Sequence, residues 1–141
     1  MGRIIAIDYG SKRSGIAVSD PGKMLASPLD TVPTHDLMSF LESYFKNEEV
    51  ELLVVGYPRK MDHSDSDSMK LIRFFVQAFK KRFASVPVKW VDERFTSSLA
   101  ADALYRGGMK KKDRRIKGQL DKVSAALILQ TYLEQQNNPR S

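Results

Sequence analysis

The sequence contains no cysteine among its 141 residues. Disulfide bonds and thiolate zinc sites are therefore excluded, and the composition fits a reducing compartment. The sequence also lacks any apolar stretch close to the roughly 20 residues that a membrane-spanning helix needs. We therefore expect a cytoplasmic protein that has no membrane partner.

Histidine and tryptophan are scarce, with two and one copies, whereas 23 Lys and Arg outnumber 17 Asp and Glu. The resulting net charge of +6 favours a polyanionic partner such as nucleic acid. Seven of the cations fall within residues 106–118, and we call this stretch the basic segment. It predicts contact with a phosphate backbone, and a merely solvated loop is the alternative. Its cations are Arg106, Lys110, Lys111, Lys112, Arg114, Arg115 and Lys117.

The hydrophobic pattern predicts five strands. Two continuous apolar runs are typical of strands that are buried on both faces. Pro28 places the third strand at an edge of the sheet, because proline cannot donate a ladder hydrogen bond. The five predicted strands cover residues 4–7, 15–19, 24–32, 52–56 and 88–92.

Helical spacing of apolar residues predicts four helices, the first of which Thr34 would cap. The predicted order β-β-β-α-β-α-β-α-α indicates an α/β fold, with a five-stranded mixed sheet flanked by helices. We expect one domain over residues 1–136 and a frayed tail over residues 137–141. The helices are expected around residues 37–45, 72–83, 97–105 and 119–135.

Asp8 is an acid at the end of the most apolar predicted strand. An ionised carboxylate beside such a strand is costly unless it is paired or bound to a metal. The alternative is that Asp8 lies just past the strand and caps the turn at Gly10.

Asp121 lies on the last predicted helix, on the helical face that also carries Ala125, Ile128 and Tyr132. We therefore expect the Asp121 side chain to point in the same direction as the buried apolar residues of this helix. The alternative is an acid that interacts favourably with the helix N-terminal dipole.

A third acid comes from the end of the fifth strand, where Asp92 and Glu93 are adjacent. Side chains alternate along a strand, so one of the two is expected to join Asp8, and the local pattern does not choose between them. An ordinary strand-end pair with Arg94 is the alternative.

Three converging carboxylates would repel one another, and a divalent ion such as Mg²⁺ would relieve that repulsion. Such ions assist phosphodiester hydrolysis.

Trp90 lies in the middle of the fifth predicted strand. A tryptophan could stack against a nucleobase. Its mid-strand position instead predicts burial.

Four segments, in this order and spacing, resemble the YqgF (RuvX) family of pre-16S rRNA nucleases, relatives of Holliday-junction resolvases with a ribonuclease-H-like fold. The match spans nearly the whole chain, and the ordered set is far more specific than any one segment. The segments are IDYGSKRSGIAVSD at 7–20, VGYP at 55–58, DERFTS at 92–97 and DKVSAALILQTYL at 121–133.

The resemblance implies that Asp8, Glu93 and Asp121 are the catalytic acids and hold Mg²⁺ or Mn²⁺. It thereby selects Glu93 over its neighbour. It also implies that Arg13 and Arg94 contact phosphate near the site. The implied activity is hydrolysis of phosphodiester bonds in maturation of the 5′ end of pre-16S rRNA during ribosome biogenesis, by a monomer or a homodimer.

This chain departs from the family pattern at Ser14, Tyr57 and the pair Asp62-His63. None of these positions is one of the three acids. Three other functions stay open. A Holliday-junction resolvase would act as a dimer on branched DNA. A non-catalytic nucleic-acid-binding module in transcription or ribosome assembly would not need three acids. An actin-like ATPase would need a second lobe.

Overall fold

The structure is a computed structural model that describes residues 2–57, 67–92 and 119–137. Its strands are β1 (Arg3–Asp8), β2 (Arg13–Ser19), β3 (Ala26–Pro33), β4 (Val50–Tyr57) and β5 (Val88–Asp92). Its helices are a 3₁₀ turn (Thr34–Asp36), α1 (Leu37–Asn47), α2 (Asp67–Arg82) and α3 (Gln119–Asn137). The predicted helix at 97–105 and the basic segment lie outside the described residues.

The five strands form one mixed sheet in the order β3-β2-β1-β4-β5. β1 is central, and it pairs antiparallel with β2 and parallel with β4. β3 pairs antiparallel with β2, and β5 pairs parallel with β4. The predicted α/β class, the mixed sheet and the edge position of the third strand are confirmed.

Helices cover both faces of this sheet. On the α1/α2 face, the side chains of Ile5, Ile7 and Val55 pack with α1 and α2. On the α3 face, Ala6, Ala17 and Val54 pack with α3. This double cover explains why β1 and β4 are apolar at consecutive positions instead of alternating.

The first helix begins differently from the prediction. Thr34 opens the 3₁₀ turn, α1 begins at Leu37, and Asp36 occupies the N-cap without a side-chain hydrogen bond to the helix. The hydroxyl of Thr34 instead donates to the carbonyl oxygen of Gly10 at 2.6 Å. The prediction that Thr34 caps the helix is wrong, because this hydroxyl binds the turn after β1.

The helices in the described part of the chain include none that is long and apolar enough to cross a membrane.

Candidate active site at the carboxyl edge of the sheet

The parallel strands β1, β4 and β5 end at the same side of the sheet, which we call the carboxyl edge. Asp8 is the last residue of β1 and is partly buried. It pairs with Gly15 of β2, two positions from Arg13, which is exposed at the start of β2. The structure therefore brings Asp8 and Arg13, two of the predicted site residues, to one edge.

Strand alternation places Asp8 on the α3 face. Ala6 belongs to the α3-face cluster, whereas Ile7 belongs to the α1/α2-face cluster. Successive side chains point to opposite faces, so Asp8 shares the face of Ala6. An acid that shares a metal ion with Asp8 must therefore also lie on the α3 face.

The turn that follows Asp8 is held by a chain of hydrogen bonds. The backbone N–H of Gly10 donates to Oγ of Ser14 at 3.4 Å, and that oxygen lies 2.9 Å from Oγ1 of Thr34. Since the Thr34 hydroxyl donates its proton to the Gly10 carbonyl, the Ser14 hydroxyl is the donor to Thr34. Ser14 is fully buried. This network fixes the backbone next to Asp8.

The turn requires glycine at position 10 because there is no space for a Cβ atom. A Cβ at this position would lie 2.3 Å from the carbonyl oxygen of Arg13, a backbone atom that cannot swing away. Tyr9, between Asp8 and Gly10, packs its ring 5.4 Å from that of Phe75 on α2. Burial raises the pKa of Tyr9.

Asp92 ends β5 opposite Tyr57, the last residue of β4. Val91 belongs to the α3-face cluster, so alternation puts Asp92 on the α1/α2 face, away from Asp8. Asp92 is only 7% exposed. Asp92 is therefore not the acid that joins Asp8, and Glu93 lies outside the described residues.

The direction of α3 is set by contacts in its C-terminal half. Oε1 of Gln130 accepts a 3.0 Å hydrogen bond from the backbone N–H of Ala26, at the start of β3. Burial raises the pKa of Tyr132, and the carboxylate of Glu51 near the start of β4 raises it further. The Gln130 hydrogen bond and Glu51 both lie at the end of the sheet opposite the carboxyl edge.

The N-terminal end of α3 is therefore directed toward the carboxyl edge. Eleven residues separate Tyr132 from Asp121, or about 16 Å of helix. β1 covers about the same distance between Arg3 and Asp8. The helix is therefore long enough for position 121 to approach the carboxyl edge.

Most of the predicted site residues lie outside the described part of the chain. Asp8 is the one predicted catalytic acid whose side chain is described, and in the described ranges no three His, Cys, Asp or Glu side chains group around a possible metal position. The remaining predicted nucleic-acid contacts lie outside the described residues: Arg94, Lys110, Lys111, Lys112, Arg114, Arg115 and Lys117.

Trp90 is not buried, so that prediction is wrong. It is 39% exposed because β5 is an edge strand. Its ring centroid lies 5.8 Å from that of Tyr57, with the ring planes at 72°. The two rings line an open depression of about 370 Å³ together with Met69 and Arg73 of α2. Sequence reasoning did not link these residues.

Solved structures share this architecture. RuvC from Thermus thermophilus, in complex with a Holliday junction substrate, matches with a TM-score of 0.64 at 18% identity, over 96% of this chain and 97% of that one. A further Thermus thermophilus RuvC structure matches with a TM-score of 0.57 at 17% identity, over 95% and 96% of the two chains. This protein has a ribonuclease-H-like fold.

Sequence comparisons are more specific. The model of the family described as "RuvX: Holliday junction resolvase" matches residues 2–135. A protein of Bacteroides thetaiotaomicron named "Putative pre-16S rRNA nuclease" is 52% identical over 134 residues, covering 95% of this chain and 97% of its own. A protein of Christiangramia forsetii with the same name is 52% identical over 133 residues, covering 94% and 98%. The chain belongs to the RuvX family.

Proposed function

We propose that this protein is a divalent-metal-dependent nuclease that hydrolyses phosphodiester bonds in precursor 16S rRNA, at its 5′ end. The observation that carries the proposal is the position of Asp8. It ends the central strand on the α3 face, and the N-terminal end of α3, with position 121, is directed to the same edge. The names of the 52% identical relatives support the substrate.

The proposed acids fit a hard divalent ion. Carboxylate oxygens are the ligands that Mg²⁺ and Mn²⁺ prefer, and the chain has no cysteine that would favour a softer metal. Asp8, Glu93 and Asp121 would hold the ion. When bound, it supplies Lewis-acid activation of water and stabilises the charge on the leaving oxygen.

The other proposed contacts bind the substrate. Arg13 is exposed at the carboxyl edge, where its guanidinium can pair with a phosphate. The cations of the basic segment precede α3 and would hold the phosphate backbone on either side of the cleaved bond. The buried hydrogen bonds of Ser14 and Thr34 keep Asp8 in position without touching the substrate.

The decisive experiment is a cleavage assay with the purified protein. Its substrates are a precursor 16S rRNA fragment, an unrelated single-stranded RNA and a four-way DNA junction, each with Mg²⁺, Mn²⁺ or a chelator. We expect metal-dependent cleavage of the precursor. Asp8→Asn should lower its rate by more than about 100-fold, because even indirect partners of metal ligands cost 10- to 100-fold.

Three further variants test whether the loss of charge alone, or the face of the sheet on which the acid lies, determines the effect. Asp30→Asn removes an exposed acid from β3, outside the site, and should leave cleavage unchanged. Glu93→Gln should abolish cleavage, whereas Asp92→Asn, on the opposite face, should retain it in the fraction that folds. Cleavage that survives Asp8→Asn would reject the proposal, and binding without any cleavage would indicate a non-catalytic module.

A Holliday-junction resolvase is the second candidate, because the matched family model carries that description. Junction resolution requires two symmetric cuts and therefore a dimer. Paired cleavage of the four-way junction by a dimeric protein, with the precursor RNA left intact, would favour this candidate.

A further inference from the structure

Trp90 is the only tryptophan of the chain. Its side chain is exposed, whereas tryptophan side chains in folded proteins are mostly buried. It lies on β5, an edge strand, and its pairing with Val55 puts it on the α1/α2 face. There α2 reaches it through Met69 and Arg73 without covering it. The result is an aromatic surface open to solvent.

The depression at Trp90 is open, with a volume of about 370 Å³. It would therefore contact one face of a ligand ring and not enclose the ligand. The rings of Tyr57 and Trp90, inclined at 72°, form two of its walls. A flat aromatic ring suits such walls, since stacking and edge-to-face contacts are both favourable.

Charge around the depression favours a ligand that carries phosphate. Helix α2 carries five cations and one acid, Asp67 at its first position, and Asp92 of β5 lies opposite Tyr57 on the same face. The cations therefore outnumber the acids around the depression. Arg73 lies three residues after Lys70 and seven before Lys80, so helical spacing puts these three on one side of α2. Met69 and Arg73 line the depression, so this side of α2 is turned toward β5. An aromatic platform beside a row of cations is the pattern of sites that bind single-stranded nucleic acid.

The depression and the proposed site of cleavage lie on opposite faces of the sheet. Trp90 is on the α1/α2 face, whereas Asp8 is on the α3 face. A strand that occupies both places must pass around β5, which is an edge strand. A base at Trp90 would therefore belong to the sequence that flanks the cleaved bond.

We propose that Tyr57, Trp90 and Arg73 form a stacking site for an unpaired nucleobase of a single strand. This stacking site does not depend on the proposed nuclease function. The shared chemistry is an unpaired base on a phosphate backbone, and separate RNA and DNA strands in the test distinguish its source.

The single tryptophan makes the site directly observable. Fluorescence excited selectively at tryptophan, and not at the five tyrosines, reports Trp90 alone in the intact protein. We expect a single-stranded adenine-rich 12-nucleotide RNA or DNA, added in chelator so that no strand is cut, to quench this emission as it binds. The same strand annealed to its complement should quench much less, because its bases are already stacked.

Variants test the contribution of the ring to affinity, measured as anisotropy of the labelled strand. Trp90→Leu should weaken binding by about 5- to 100-fold, and Trp90→Phe should restore most of the affinity. Phe74→Leu is the matched control. It removes a 70% exposed aromatic that does not line the depression and should leave binding unchanged.

Two results would overturn the stacking site: a strand that binds without changing Trp90 emission, or Trp90→Leu binding as tightly as the wild type. Cleavage assays on the same preparations separate this inference from the nuclease proposal. Cleavage without quenching rejects the stacking site alone, and quenching without cleavage rejects the nuclease alone.

Discussion

The two faces of the sheet are filled with side chains of different size. The α1/α2 face buries Phe75, Phe79 and several isoleucines and leucines. The α3 face also buries larger residues such as Leu129, but among the described residues five of its eleven buried cluster members are alanines, whereas the α1/α2 cluster has none. These are Ala6, Ala17, Ala26, Ala125 and Ala126.

The difference separates two tasks. Large apolar side chains bury the most area and contribute most of the hydrophobic stabilisation. Alanines contribute less area but allow a helix backbone to lie close to the sheet. We infer that the α1/α2 face mainly stabilises the domain, whereas the α3 face positions the N-terminal end of α3 against Asp8.

Ala6 and Ile5 offer the sharpest test, since they are adjacent, fully buried and on opposite faces. Ala6→Val overfills the α3 interface and should cost about 1–3 kcal/mol of unfolding free energy. It should also slow cleavage about 100-fold, because a 1 Å displacement of catalytic groups costs that much. Ile5→Val should cost about 1 kcal/mol and leave cleavage unchanged. Urea unfolding and single-turnover cleavage measure the two effects, and equal cleavage by both variants would remove the distinction between the faces.

A substitution at Gly10 tests whether cleavage depends on the position of the turn beside Asp8 as strongly as on the packing of the α3 face. Gly10→Ala would put a Cβ 2.3 Å from the Arg13 carbonyl oxygen and force the turn to shift. We expect a loss of about 2 kcal/mol and about a tenfold slower cleavage. The control is Gly22→Ala in the turn before β3, at the opposite end of the sheet from Asp8, where the added Cβ would lie 2.9 Å from Oδ2 of Asp20. It should leave cleavage unchanged. A Gly10→Ala protein that cleaves at the wild-type rate would show that Asp8 tolerates displacement.

Gln130 should give the smallest effect, because it holds α3 at the end remote from the site. Gln130→Leu leaves the buried N–H of Ala26 without its acceptor and should cost about 1–3 kcal/mol. Cleavage should fall less than in Gly10→Ala. The neighbouring Thr131→Val is the control, since the Thr131 hydroxyl bonds only within α3, to the carbonyl of Leu127. A larger loss in the control would mean that Gln130 does not set the position of α3.

Much of the fold could be predicted because β1 and β4 are apolar at successive positions, a pattern that needs cover on both faces. Pro28 correctly marked β3 as an edge strand. Burial of Trp90 was predicted wrongly, because whether β5 is central or at the edge depends on strand order. That order is a tertiary property, and no local pattern around Trp90 carries it.

The candidate site was predictable in its residue types and less so in its geometry. Alternation alone could not choose between Asp92 and Glu93, since the choice requires knowing which face Val91 contacts. The hydroxyl of Thr34 bonds a turn 24 residues earlier in the chain, and local capping rules do not anticipate such a contact.

The central claim is that Asp8 shares a divalent ion with the two other acids, and thermal unfolding of wild-type protein and Asp8→Asn tests it most directly. In chelator, Asp8→Asn should melt about 3 °C higher, because removing one charge relieves about 1 kcal/mol of repulsion. Mn²⁺ at about 100 times its Kd should stabilise the wild type by about 2.7 kcal/mol and the variant hardly at all. An Asp8→Asn protein that melts lower in chelator and still gains the full stabilisation from Mn²⁺ would contradict the account.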